Sequence, residues 1–497
     1  MEGIVSIDVG TTSMRAALHA PDGKIVRIEQ KDNAPQHFND GRVEQDAGAW
    51  SSLLVELLSS ISRFAKSAGI APVCLSLTAQ RSSLIPIDRN GTPLHPAIMW
   101  QDRRTASLAG EMAEHNAIVY RKTGLQISPV FSALKMRWLR RERPDLWTRA
   151  ARLIGIQDWI VFLLSGKLVT DQTFGGRTNL LDLATRSWDD ELLGIFEVPR
   201  EKLCDLVPPG SIVGTLQSSI AATVGLPSGL PIVSAGGDQQ CAALGLGLFS
   251  GKRAVTNTGT GSYLIGHSGH PVFDDRMRVS CNVSAIPGAY IVEAAVLTSG
   301  SIYRWFSETC HGGEGFAMLN KEAAQSPPGA SDLILLPHFK GSGTPYWDPG
   351  AKGTFFNLSL ETTRGDMARA ILEGIAVEMK GSLELVENLC GRVESVSVSG
   401  GLTRSDLFNQ IQSDVLERDV VRFSDNEATS RGAWMAAAVA CGAHGSYPDA
   451  FAAATREGSS VSYRPDPALA PLYERQRRRA QALYEALATP DLRERMK

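Results

Sequence analysis

The 497-residue chain is 43% hydrophobic and 21% charged, proportions of a globular protein too long for one ordinary core, so two large domains are expected. Lys and Arg total 50 against 53 Asp and Glu, a formal charge of -3, which leaves no global basic footprint for nucleic acid or an anionic membrane. The seven cysteines (Cys74, Cys204, Cys241, Cys281, Cys310, Cys390 and Cys441) include no C-x-x-C pair, which argues against a disulfide framework and a zinc site. The N-terminus enters an apolar run without a basic leader, and the longest apolar run, 433–443, is too short to span a bilayer. A cytoplasmic protein is expected, in which the N-x-S/T sequences at Asn90, Asn282 and Asn357 carry no weight.

In chain order, strands are predicted over 4–9, 73–78, 231–235, 254–257, 333–336 and 393–399. Helices are predicted over 49–65, 131–143, 366–389, 406–416, 430–441 and 472–487, the last one polar and on the surface. The alternation argues for an α/β architecture. Two segments echo each other. Ile7-Asp8-Val9-Gly10-Thr11-Thr12-Ser13 precedes a second strand over 14–19, and Thr256-Asn257-Thr258-Gly259-Thr260-Gly261-Ser262 precedes one over 263–265. Both read as β-hairpins with tips of Gly and Thr or Ser. Such a pair, half a chain apart, predicts two related domains facing one another, 1–247 and 248–497, with the boundary in the glycine-containing stretch 245–251.

Glycine at a hairpin tip lets backbone amides and flanking hydroxyls approach an anion. Asp8 at the first strand end suits a hydrated Mg²⁺, and Arg15 adds positive charge. One G-T-T alone is better read as a tight turn; the repeat of the pattern favours nucleotide phosphates. The chain has neither a G-x-x-x-x-G-K-[ST] loop nor a G-x-G-x-x-G after the first strand, which counts against P-loop NTPases and Rossmann dehydrogenases. Gly236-Gly237-Asp238-Gln239-Gln240 joins the strand over 231–235 to a helix over 241–248. Asp238 there is a helix N-cap or a general base at a strand end. Ser399-Gly400-Gly401 is a tight βα turn or a bare backbone under a nucleotide base. Gln80-Arg81-Ser82-Ser83 and Trp100-Gln101-Asp102-Arg103-Arg104 are surface loops or the walls of a polyol site, where an indole covers C–H faces and charged groups bind hydroxyls.

Taken together these segments resemble the FGGY family of carbohydrate kinases, in several places its glycerol kinases. The specific pieces are Asp8-Val9-Gly10-Thr11-Thr12-Ser13, Trp100-Gln101-Asp102-Arg103-Arg104-Thr105, Gly237-Asp238-Gln239-Gln240, Asn257-Thr258-Gly259-Thr260-Gly261, Gly343-Thr344-Pro345-Tyr346-Trp347-Asp348-Pro349 and Ser399-Gly400-Gly401. Lys135-Met136-Arg137-Trp138-Leu139 and Ala370-Ile371-Leu372-Glu373-Gly374 resemble the family's two signatures. The resemblance, which spans 4–442, implies two actin-like (ribonuclease H-like) domains with ATP and substrate meeting in the cleft between them. It implies that Thr11, Thr12, Arg15, Gly259 and Thr260 line the ATP phosphates, that Gly400, Gly401 and Ser405 lie by the adenosine, and that Gly300 and Arg304 border the nucleotide. Asp8 would help hold Mg²⁺, and Asp238 would accept the proton of the attacking hydroxyl. The substrate would be a small sugar or polyol held by Arg81, Ser82, Trp100, Asp238, Gln239 and Tyr263, in a homodimer or homotetramer.

The substrate positions depart from the glycerol kinases, which carry Glu at Ser82, Tyr at Val130 and Phe at Tyr263. Losing a Glu and a Tyr removes hydrogen-bond partners and leaves room, so a four- to six-carbon polyol or ketose joins glycerol as an expected substrate. Residues 277–306 resemble the kinase for autoinducer-2, so that activity and a xylulokinase-like one are the alternatives within the family. An actin- or chaperone-type ATP-driven switch is the alternative outside it.

Overall fold

In the computed structural model, which describes residues 1–310, 312–313, 315–424, 427–455 and 460–495, strand β1 (Glu2–Val9) is buried on both faces from its second residue onward. β-Branched Ile4, Val5, Ile7 and Val9 suit that doubly covered position. A turn at 10–12 returns the chain as β2 (Ser13–His19), antiparallel to β1, and β3 (Ile25–Asp32) continues the meander. Helix α1 (Ala47–Ser67) starts at an Asp46 cap and buries Trp50, Leu54, Leu57, Leu58 and Ile61, one face at helical spacing, into the same core. β4 (Ala71–Ala79) pairs parallel to β1, β6 (Pro231–Gly237) parallel to β4, and β5 (Ser211–Thr215) closes the edge, giving the order β5-β6-β4-β1-β2-β3.

Between β4 and β5 the chain leaves the sheet and builds a separate core from Leu84, Ile98, Leu134, Leu139, Phe196 and Leu203. Helix α2 (Ser132–Glu142) belongs to this insert. Helix α3 (Asp238–Gly245) follows β6 directly. Its N-cap is Gly237, so Asp238 is its first residue rather than its cap, and the helix begins three residues before the predicted 241.

The second sheet contains β7 (Arg253–Thr258), β8 (Ser262–Ser268), β9 (Ser280–Val283), β10 (Tyr290–Val296), β11 (Ser395–Ser399), β12 (Asp419–Phe423) and β13 (Ser460–Tyr463), in the order β9-β10-β8-β7-β11-β12-β13. From β10 to β13 it repeats the first sheet strand for strand: an antiparallel meander, then two strands added in parallel one after the other, then an antiparallel edge. Helices α4 (Gly300–Cys310), α5 (Arg364–Cys390), α6 (Asp406–Leu416) and α7 (Ala428–Ala440) complete the second half. The run predicted as a strand over 333–336 forms Ile334–Leu336, paired only with Thr354–Phe356 outside both sheets. Among the described residues no helix is long and apolar enough to cross a membrane.

Helices α3 and α7 lie together between the sheets, each on the sheet of the other half. Ala242, Ala243 and Leu246, on and just after α3, pack with Val255 and Ile265 of the second sheet. Trp434, Met435 and Ala437 of α7 pack with Ile4, Cys74 and Val233 of the first, where Ser76 Oγ also donates to the Ala433 carbonyl at 2.6 Å. The helices touch backbone to backbone. A Cβ on Gly432 would lie 1.8 Å from the Cys241 carbonyl oxygen, and one on Gly245 2.0 Å from that of Ala428. Such an overlap has no flexible side chain to absorb it, so Gly432→Ala is expected to destabilise the fold by about 1–3 kcal/mol in denaturant unfolding. Gly381→Ala on α5, where a Cβ meets nothing within 4 Å, should instead be neutral or stabilising by up to about 1 kcal/mol.

Candidate active site

Strand register alone gathers the first half's polar motifs. Val9, Ala79 and Gly237 are aligned at the ends of the parallel strands β1, β4 and β6. The hairpin tip, Gln80-Arg81-Ser82 and Asp238 therefore leave the sheet at one carboxyl edge, where open α/β sheets bind ligands. Gln80 ties them together by accepting from Thr11 Oγ1 at 3.3 Å and donating to the Gly10 carbonyl at 3.1 Å. Trp100 Nε1 donates to the same Thr11 hydroxyl at 3.2 Å, so the indole and the hairpin form one wall; Thr12 beside it is exposed.

Asp8 lies across this hairpin from Arg15, 3.7 Å from its Nε, and Arg15 reaches Glu427 of the second half at 3.1 Å. Burial pushes the Asp8 carboxyl up to about 7, with Arg15 pulling it down and the Asp238 charge adding to the rise. Among the described residues no three His, Cys, Asp or Glu side chains cluster as a metal cage. Mg²⁺ keeps several waters and needs only one or two carboxylates beside phosphate oxygens, so Asp8 and nearby Asp238 are the residues that would hold it.

At the second sheet the same logic applies, with Asn257 of β7 level with Ser399 of β11. Gly300 N–H donates to the Gly259 carbonyl at 3.0 Å, and a Cβ on Gly300 would sit 2.4 Å from that oxygen. Gly400, at φ +100°, would place a Cβ 2.4 Å from the Thr258 carbonyl, so both positions demand glycine. Gly259 and Gly401 differ: a Cβ on either meets nothing within 4 Å, leaving bare backbone facing open space beside exposed Thr260. Arg304 is exposed one turn into α4. Ser405 is buried, its hydroxyl engaged as the N-cap of α6 on the Phe408 N–H at 3.3 Å.

Between the two edges lies a charge cluster that the sequence motifs only half announce. The Asp238 side chain, 33% exposed, accepts from the Gln239 N–H at 2.8 Å and sits 3.6 Å from Arg81 Nε. Arg81 Nη1 donates to Gln240 Oε1 at 3.0 Å and stands 3.4 Å from Glu293 Oε1. The other oxygen of Glu293 is 3.2 Å from Arg177 Nη1 and accepts from Asn282 Nδ2 at 3.0 Å. Two guanidiniums thus balance two carboxylates. Burial raises Asp238, with Arg81 the main counterweight. Glu293 is also penalised by burial, yet Arg81 and Arg177 hold it below the usual range. Burial lowers Arg177 to about 10, and the Arg81 charge adds to the shift. Half-exposed Tyr263 borders the cluster, and Gln239 Oε1 is buried without a hydrogen-bond partner.

Glu293 and Arg177 are the residues that motif reading misses. Glu293 has a readable signal, one acid in the otherwise apolar strand Tyr290–Val296, because a buried charge requires a partner. Arg177 has none. Ser82 sits in the left-handed region at φ 66°, its Oγ donating to the Arg177 carbonyl at 3.3 Å. Its conformation is held by Lys135, a fully buried ammonium that donates to the carbonyls of Ser82 at 3.1 Å, Pro129 at 2.9 Å and Val130. Burial drives Lys135 down to about 7. Three bonds to a charged donor, about 1.5–3 kcal/mol each, offset a desolvation cost of several kcal/mol.

Comparison with known proteins agrees with this geometry. Residues 3–245 match the N-terminal domain, and 254–441 the C-terminal domain, of the FGGY family of carbohydrate kinases. The chain is 34% identical over 478 residues to a glycerol kinase of Alkalilimnicola ehrlichii, covering 92% of this chain and 93% of that one. It is 33% identical over 460 residues to a glycerol kinase of Thermus brockianus, covering 89% and 91%. Among solved structures, xylulose kinase from Lactobacillus acidophilus matches with a TM-score of 0.92 at 25% identity over 99% of both chains. Plasmodium falciparum glycerol kinase with ADP matches with a TM-score of 0.91 at 24% identity over 97% of this chain and 98% of that one. With its two actin-like (ribonuclease H-like) domains, the chain belongs to the FGGY family of carbohydrate kinases.

Proposed function

We propose that this carbohydrate kinase transfers the γ-phosphate of ATP to a hydroxyl of glycerol, a tetritol or pentitol, or a ketose, with Asp238 as general base. The observation that carries the reading is the place of Asp238: part-exposed at the carboxyl edge of β6, beside the glycine-tipped hairpin, its basicity raised by burial and adjusted by Arg81 and Glu293. The acceptor hydroxyl gives its proton to Asp238 while its oxygen attacks the γ-phosphorus in line. The new O–P bond forms as the bond to the ADP oxygen breaks. Thr11, Thr12, Gly259 and Thr260 cradle the phosphates, the open backbone of Gly401 takes the adenosine, and Arg81, Trp100, Gln239 and Tyr263 hold the acceptor. Mg²⁺ at Asp8 supplies neutralisation of phosphate charge when bound. All seven cysteines are free thiols, which fits a reducing cytoplasm.

Asp238→Asn should lower kcat by about 10²–10⁴-fold while nucleotide affinity, measured by calorimetry, stays near that of the wild type. Wild-type turnover in this variant would remove Asp238 from the mechanism. Because a base must be unprotonated and burial raises Asp238, kcat/KM at saturating Mg-ATP should fall on acidification through a value above the ordinary 3.8. Arg81→Gln removes the charge that holds the carboxylate ionised and should move that acid limb to higher pH. Glu293→Gln removes a negative neighbour and should move it lower. Shifts of the same sign in both variants would contradict the electrostatic assignment.

A further inference from the structure

Past Trp100, between the insert and the segment 37–43, lies a cavity of about 440 Å³ that contains none of the catalytic cluster. It is lined by Trp100, one of the residues proposed above to hold the acceptor, by Val130, whose carbonyl shares the Lys135 amine with that of Ser82, and further by Phe38, His37, Gln101 and Arg103. Its walls combine aromatic faces with polar ends. Arg42, stacked over the Phe38 ring at 4.5 Å, is neutralised by Asp40 at 2.7 Å. Asp102 is closed off, accepting the Val43 N–H at 2.7 Å and pairing with Arg104 at 2.8 Å. Arg103, by contrast, is exposed and has no carboxylate at ion-pair distance among the described residues, and Gln101 Oε1 has no hydrogen-bond partner. The space is not a collapsible gap. The Val130 and Ser82 carbonyls are pinned by the same buried Lys135 ammonium, so the wall that a larger side chain at 130 would thicken is fixed in place.

We propose that this cavity is a distal acceptor subsite that receives the far end of a hydroxylated chain of roughly five or six carbon atoms, whose near end reacts at Asp238. The inference rests on the polyol or ketose acceptor proposed above. A three-carbon acceptor spans only the Asp238–Trp100 part of the site. In a longer one the C–H edges lie against Trp100 and Phe38, and the distal hydroxyls meet the donors of Arg103 and His37 and the amide of Gln101. A site built to bond such hydroxyls discriminates against the acceptor that lacks them, because its polar groups are otherwise left unpaired.

The test compares kcat/KM for glycerol, ribitol, xylulose, glucitol and fructose in the wild type, in Val130→Phe, which fills the mouth of the cavity, and in Arg103→Ala at an exposed position. The wild type should prefer a five- or six-carbon acceptor over glycerol by about tenfold or more, and each variant should reduce that ratio by about tenfold. Unchanged thermal unfolding of Arg103→Ala shows that the loss is not one of folding. A wild-type ratio at or below one, or a ratio that neither variant moves, overturns the subsite and leaves the kinase reading intact. Absence of turnover with every acceptor overturns the kinase reading instead. Calorimetry with glucitol then decides the subsite: binding weakened by Val130→Phe supports it, and no binding overturns it.

Discussion

The contact between α3 and α7 is the constraint on which the rest of the molecule depends. Two glycines bring backbone against backbone, and each helix buries its other face in the sheet of the opposite half. Close-packed interiors transmit displacement rather than absorb it, so the two sheets are positioned against each other through this crossing. Both chemical edges hang from it. α3 begins with Asp238, and α7 follows directly on Glu427, the partner of Arg15 in the phosphate hairpin. The base and the hairpin arginine are thus placed from one fulcrum, although they are far apart in the chain.

Electrostatics gives the same joint a second meaning. Arg81 and Asp238 come from the first half, Glu293 from a strand of the second, and Arg177 from the insert. Burial raises the proton affinity of Asp238, and both halves then adjust it together: Arg81 draws it down while Glu293 lifts it. Separating the halves would remove Glu293 from that balance and leave two guanidiniums beside one carboxylate. Basicity and domain placement are linked through a single residue of β10.

Much of this is legible in the sequence because it is local. The apolar runs ended by Gly tips, the long one-faced helices such as Ala47–Ser67 and the strand-to-helix junction at Asp238 all depend on neighbours within a few residues. Apart from the helix that starts at Asp238, the displaced strand Ile334–Leu336 and β8, which runs three residues past the predicted 265, the predicted elements agree with the observed ones to within two residues at either end. What escapes is long-range. Glu293 meets Arg81 across 212 positions and Arg177 across 116, and no periodicity records such a meeting. Ser405 is the local counterpart: its hydroxyl caps α6 by accepting the Phe408 N–H, a role that depends on neighbours three residues away. The strained Ser82 and the carbonyl-bound Lys135 belong to one feature that only three-dimensional contacts reveal.

The exchange of helices between the halves also bears on how the chain is made. A ribosome delivers the first sheet long before α7, yet Ile4, Cys74 and Val233 of that sheet are covered by Trp434, Met435 and Ala437. Until residues 428–440 emerge, one face of the first sheet lacks its cover, and an uncovered apolar sheet face is an invitation to aggregation. The nascent first half is thus an incomplete object waiting for its lid, not a finished domain awaiting a neighbour.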